Sequence, residues 1–337
     1  MLLRNLFAVT LGALFGGLLC AAPADDADAV NIESAKDHVD FRIGKELITT
    51  YHIGTDVAKP FFWPLNAPGG APLTRAWPMD ANSKETKDHI HQKSAWFCHG
   101  DVIPEGIEVK DKIKGVRGVD FWSEAPGHGV IACIDVGKPK TAKGHAWITT
   151  RNEWRMADNM KILDETRTIH LYDLDGARLL VLDIDLDASV CLITFGDTKE
   201  GAFGVRIRDS LNEKDGKGLL ENAEGKKTEK ECWGRQSKWC DYAGKIDDKT
   251  FGLTLLDDPT NPYPACWHSR GYGLSAANPF GRAGSGFPAV QDKNDLVKLA
   301  KGDHLKLRYG LLLHAGNAKN GKVEECFERF VKLGKSE

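Results

Sequence analysis

The sequence has no surplus of positive charge. Its 337 residues carry 45 basic against 48 acidic side chains, and the Lys and Arg residues are scattered rather than clustered. That argues against a nucleic-acid-binding protein. Beyond the N-terminal leader there is no apolar run long enough to span a bilayer. There is no C-x-x-C pair, the usual framework of a structural zinc site. No G-x-S-x-G elbow, P-loop or dinucleotide fingerprint occurs, and Gly69-Gly70 is not followed by a helix pattern. H-E-x-x-H and the cupin arrangement of paired histidines with a nearby glutamate are missing too. No internal repeat or linker divides the chain, so one domain is expected over residues 38–337.

What is present begins with a leader. Arg4, an apolar stretch over residues 6–19 and Ala22-Pro23-Ala24 have the order of a signal peptide covering residues 1–24. A lipoprotein reading through Cys20 is weaker, because bulky Leu19 precedes it. The mature protein is therefore expected to be exported, periplasmic or secreted, without a membrane span. Residues 25–37 are acidic and Ala-rich and read as a flexible lead-in. Seven of the eight cysteines follow Cys20, an odd number that cannot all pair within one chain. Cys133 and Cys191 sit in apolar strand patterns and read as small buried hydrophobes. Cys232 and Cys240 have the spacing to close a short loop, although a chain this long does not need staples.

Strand signals dominate. Residues 39–43 and 46–53 alternate around Gly44-Lys45 as a hairpin, and 61–65 is a short aromatic strand. Residues 103–118 read as a charged surface insertion, after which 119–124, VDFWSE, resumes strand character. Further strands are expected over 130–136, 146–155, 162–174, 177–188, 190–195, 204–208, 236–243, 250–257 and 304–314. Asp175-Gly176 is a hairpin turn. Leu180, Leu182, Ile184 and Leu186 share one face, and Asp183, Asp185 and Asp187 the other, a solvated face rather than a calcium loop. Residues 216–231 read as a polar loop. Val323, Cys326, Phe327 and Phe330 recur at helical spacing. The fold class is thus all-β, a large antiparallel β-sandwich with a short C-terminal helix.

The densest chemistry lies in Asp88 to Asp101, DHIHQKSAWFCHGD, with His89, His91, His99, two acids and two aromatics. On a strand, His89 and His91 would project from one face. A second polar-aromatic window, Trp267-His268-Ser269-Arg270, lies far down the chain, followed by Asn278. Glu200 occupies a polar turn, with Arg206 on the next strand. Such a glutamate is a base only if it lines the same cleft as the histidines. Many of the nine tryptophans border polar windows, Trp122 and Trp267 among them, as in sugar-binding clefts. The two windows are expected to form one pocket.

DHIHQKSAWFCHGD, VDFWSE, FGDTKEGAFGVRI, WGRQSKWCDYAG and CWHSRGYGLSAANPFG together resemble an exported bacterial family labelled "PmoA family". Gln92 stands where that family usually has a third histidine, and residues 104–118 separate two blocks that nearly adjoin there. The methane monooxygenase subunit of that name is a multi-span protein, and this chain has no such spans. The resemblance implies strand content like that of galactose-mutarotase-like supersandwiches, which handle sugars with His and Glu acid-base pairs. On that basis the leading expectation is a carbohydrate-active protein. His91, His268 and Glu200 would act as catalytic groups, with His89, His99, Asp101, Trp122, Arg206, Trp267, Arg270 and Asn278 binding substrate. A metal-dependent oxygenase or hydrolase using His89, His91 and His99 is one alternative, and a non-catalytic sugar-binding module the other. No cofactor is expected under the leading reading. The partner is a carbohydrate or other small polar ligand.

Overall fold

The computed structural model describes residues 29–333. The N-terminal leader and Cys20 lie outside the described residues. Among those residues, two nine-stranded antiparallel sheets and a three-stranded one account for the strands. The first sheet runs in the order Val30–Ser34, His38–Ile43, Glu46–His52, Phe61–Ala67, Ala95–His99, Gly201–Arg206, Leu274–Asn278, Cys266–Trp267, with Ala71–Pro72 paired to Phe61–Ala67. The second runs Leu219–Asn222, Trp239–Ile246, Lys249–Asp257, His304–Ala315, Ala177–Asp187, Lys161–Leu174, His145–Arg155, Val130–Val136, with Lys140–Ala142 beside His145–Arg155. Alternation decides which face of each strand is buried. Leu180, Leu182, Ile184 and Leu186 join the core between the sheets, while Asp183, Asp185 and Asp187 stay partly exposed.

The two sheets meet through large rings. Phe97 of the first sheet contacts Trp154 of the second edge-on at 6.1 Å, and Phe203 lies 5.7 Å from Tyr309. Inside this apolar layer sits an ion pair, Arg167 Nε to Glu165 Oε1 at 2.6 Å, with both side chains fully buried. Trp154 donates its indole N–H to Glu165 at 2.7 Å, and Arg167 donates to the Tyr51 hydroxyl at 2.8 Å. Tyr51 belongs to the first sheet and the ion pair to the second, so the pair links both. The C-terminal helix, Val323–Leu333, covers part of the second sheet's other face. Its Val323, Phe327 and Phe330 pack with Leu179, Val181 and Leu312.

The sandwich and its terminal helix are as expected; several local elements are not. Val30–Ser34, assigned to a flexible lead-in, pairs with His38–Ile43 and buries Val30 and Ile32. Short-range composition hid a strand whose partner lies next along the chain. The 216–231 stretch contains the strand Leu219–Asn222 and a short helix, Thr228–Cys232. Residues 119–124 are not a strand. There the Asp120 carboxylate accepts from the Trp122 and Ser123 backbone N–H groups at 2.7 and 3.0 Å, which turns the chain. All seven cysteines among the described residues are free, Cys232 and Cys240 included, and Cys133 and Cys191 are only partly buried.

Arg167→Met would leave Glu165 as an unpaired buried charge. We expect a loss of about 3–5 kcal/mol in urea unfolding, the usual cost of breaking a buried pair from one side.

Candidate functional site

Residues between Thr86 and Ser94 form no regular structure, so their backbone groups need partners from elsewhere. Arg75 supplies them. Fully buried, it donates to the carbonyls of Thr86, Asp88, His89 and Gln92 at 2.9, 3.0, 3.1 and 3.3 Å. It also reaches the Asp88 carboxylate at 2.5 Å. Arg206, equally buried, donates to Asp88 at 2.8 Å and to the Gln92 side chain at 2.6 Å. Burial works against the charge on Asp88, but Arg206 and Arg75 hold its carboxyl below the ordinary range. His89 is therefore fixed in the left-handed region, φ 43°, which non-glycine residues rarely adopt. The expected strand through His89 and His91 is absent. The tight turn still brings their rings to 5.8 Å, edge to face.

This loop enters the strand Ala95–His99, and the rest of the site is assembled on the neighbouring strands. Trp96 and Gly204 pair across the sheet and point away from the sandwich core. A Cβ at Gly204 would sit 2.9 Å from Trp96 and 3.1 Å from Trp122. The bare glycine is what lets the Trp122 indole lie against the sheet. Gly100 likewise admits the Glu200 backbone, donating its N–H to the Glu200 carbonyl at 2.7 Å. His268 continues its strand by exchanging backbone hydrogen bonds with Ala276 at 2.9 and 3.2 Å.

Together these elements enclose a cleft of about 440 Å³. His89, His91 and Gln92 form one wall, and Lys199, Glu200, His268, Arg270 and Tyr272 the other. Asp120, Trp122 and Ser123 complete it. Tyr272 stacks on His89 at 5.2 Å and lies over the Arg206 guanidinium at 4.6 Å, so that one column of cation and rings joins the two walls.

Burial sets the protonation states. His268 is 1% exposed, and its Nδ1 lies 4.0 Å from Glu200 Oε2. Neither ring nitrogen makes a hydrogen bond of good geometry. Burial, then Lys199 and Arg270, push the ring down to about 3. Burial and the Lys59 ammonium push His91 down to about 4. Both imidazoles are neutral at pH 7. Burial acts oppositely on Glu200 and raises its carboxyl, with Asp120 adding to the effect.

The two sequence windows thus share one cleft, with His89, His91, Trp122, Glu200, His268 and Arg270 in it. Five residues expected there do other work. His99 lies on the Phe97 face of its strand, and its Nε2 donates to the Gly196 carbonyl at 2.9 Å between Phe195 and Phe280. Asp101 accepts from the Arg117 and Gly118 N–H groups at 3.1 and 2.6 Å. Those contacts close the neck of the 103–118 excursion, where Val102 also bridges Val119. Arg206 lies beneath Tyr272. Trp267 faces the core and donates to the Ser237 carbonyl at 2.9 Å, because strand alternation points it away from its neighbour His268. Asn278 donates to the Thr198 carbonyl at 2.9 Å and so pins the turn that carries Glu200. Trp122, only 2% exposed, is a floor packed edge-on to Trp96 at 5.1 Å rather than a free plate.

His99 cannot join His89 and His91 as a metal ligand. Among the described residues no three His, Cys, Asp or Glu side chains converge for one. Asp120, Ser123, Lys199 and Tyr272 line the cleft without having been singled out, and so does Gln92, noted only as standing where a histidine is usual. Each lies within a quoted block, and that membership was the available signal.

Fold and site define a β-sandwich with a buried imidazole–carboxylate pair in a polar cleft. Residues 38–328 match the "Family of unknown function (DUF6807)", and the chain belongs to it. No curated protein matches the sequence significantly. Among solved structures it is similar to the GH36 α-galactosidase AgaA from Geobacillus stearothermophilus, at 8% identity over 87% of this chain and 41% of that one, TM-score 0.43. It is also similar to galactose 1-epimerase from Lactobacillus acidophilus NCFM, at 10% identity over 86% of this chain and 99% of that one, TM-score 0.41. The chain thus spans about two fifths of the α-galactosidase's length. At this distance no residue role passes from either protein to this chain.

Arg75→Ala should release the loop. We expect amide exchange over residues 86–94 to accelerate and stability to fall by about 2–3 kcal/mol, because the loop's carbonyls lose their charged donor while Asp88 keeps Arg206. A second expectation concerns pH. His99 is buried and pushed down to about 4 by burial, against an ordinary value of 6.5. Between those values the unfolded chain binds the proton and the fold does not. Its contribution is therefore complete above pH 6.5 and is lost as pH falls toward 4. Removing this group by His99→Phe should shrink the stability lost between pH 7 and pH 5 by about 2 kcal/mol in urea titrations.

Proposed function

We propose that the cleft binds a sugar and that Glu200 and His268 act on one of its hydroxyl groups. The observation that carries this reading is the buried His268 ring, its nitrogens without good hydrogen bonds, facing Glu200 across 4.0 Å inside a cleft. A buried polar group without a partner costs free energy in the empty protein, and a ligand that satisfies it recovers that cost. A hydroxyl both donates and accepts, which suits a neutral imidazole on one side and a carboxylate on the other.

Roles follow from the charge states. At pH 7 His91 and His268 are neutral and orient hydroxyls; they do not deliver protons as imidazolium ions. Glu200, with its raised proton affinity, is the base. Tyr272, Trp122 and His89 supply ring surface around the ligand. The cleft's volume of about 440 Å³ suits one or two sugar units. We place this activity outside the cytoplasm, on the strength of the leader in residues 1–24.

Turnover on a panel of mono- and oligosaccharides tests the proposal, with binding followed by calorimetry. We expect Glu200→Gln to lower turnover by about 10²–10⁴-fold, the usual contribution of a positioned base, with binding retained. Binding without turnover on any member would make the protein a sugar-binding module and remove the base role. Unchanged turnover in Glu200→Gln would overturn the assignment outright.

A further inference from the structure

Most charged groups of the cleft already have partners. The Asp120 carboxylate is taken up by the Trp122 and Ser123 N–H groups and the Ser123 hydroxyl. Arg270 pairs with Glu229 at 2.7 Å. Just outside the lining, Lys93 holds Glu124 at 2.8 Å, beside Lys59. Lys199 differs. It is exposed at the cleft, lines it, and has no ion-pair partner among the described residues. Its ammonium, within Coulombic reach of Glu200 but not in ion-pair contact with it, stands next in sequence to that carboxylate and beside the buried ring of His268.

From this placement we infer that the sugar carries a carboxylate, seated against Lys199: the cleft takes a uronic acid. This rests on the sugar reading above and names its substrate class. One unpaired cation matches a monoanion, whereas a dianionic phosphate would leave charge uncompensated. The local potential agrees. Lys199 and Arg270 both oppose protonation of His268, although the whole chain carries a formal charge of −3. That positive potential is local to the His268 side of the cleft; over the whole lining Asp120 and Glu200 balance the two cations.

Calorimetry on the full chain with matched pairs decides the matter: oligogalacturonate against galacto-oligosaccharide, glucuronate against glucose, and a sulfated sugar as third arm. We expect the uronate to bind about tenfold more tightly than its neutral partner, the size of one hydrogen bond to a charged group. Lys199→Ala should bring that ratio close to one, and Lys199→Arg should keep it. Unchanged melting temperatures would show that both variants fold. Equal or tighter binding of the neutral partner sinks the carboxylate and leaves the sugar reading standing. Preference for the sulfated sugar also overturns the carboxylate. If neither neutral nor acidic sugars bind, the sugar reading itself fails and this inference with it.

Discussion

The site depends on one buried arginine. The His89–His91 turn is too irregular to satisfy its own backbone, and Arg75 takes up four of its carbonyls from beneath. A guanidinium can do this because it carries five donors in a rigid plane. Lysine offers three donors on a point charge. Arg75 is desolvated by the same contacts, and Asp88 is the counter-ion that makes its burial tolerable. Arg206 then ties Asp88 to the sheet and supports Tyr272, which stacks on His89. Two arginines and one aspartate thus set the position of both histidines.

The same burial that fixes geometry sets chemistry. Desolvation disfavours charge of either sign, so it lowers His268 and raises Glu200. The two groups stand 4.0 Å apart; the imidazole is held neutral and the carboxylate is made more basic. A pair held this way exchanges hydrogen bonds with an uncharged hydroxyl at little electrostatic cost. The glycines at 100 and 204 matter for the same reason: they let Glu200 and Trp122 approach the sheet closely, which buries Trp122 and half-buries Glu200.

Much of the fold was legible because strand alternation is local. Leu180 to Leu186 announced a buried face within seven residues, and the C-terminal helix announced itself by the spacing of Val323, Cys326, Phe327 and Phe330. Val30–Ser34 was missed because its hydrogen bonds, rather than its composition, make it a strand. VDFWSE was misread because Asp120 bends the chain with its own carboxylate, overriding β-propensity. The 103–118 excursion was recognised, but Asp101 was assigned to a ligand when its role is to clamp the excursion's neck.

By itself the sequence determined which residue types were available and which windows held them: histidines at 89 and 91, Glu200 in a polar turn, His268 beside a tryptophan. It also determined the two-faced strands from which a sandwich follows. Only the tertiary structure decided which of these side chains meet. His99 and His91 are eight residues apart, yet one faces the core side and the other the cleft, because His99 is on the strand beside Phe97's face whereas His91 sits in the irregular turn that precedes the strand. Glu200 and His268 are 68 residues apart and come within 4.0 Å through antiparallel pairing of strands that no local pattern specifies. Register and close packing are non-local, and a site built across four strands is fixed only when all of them are in place.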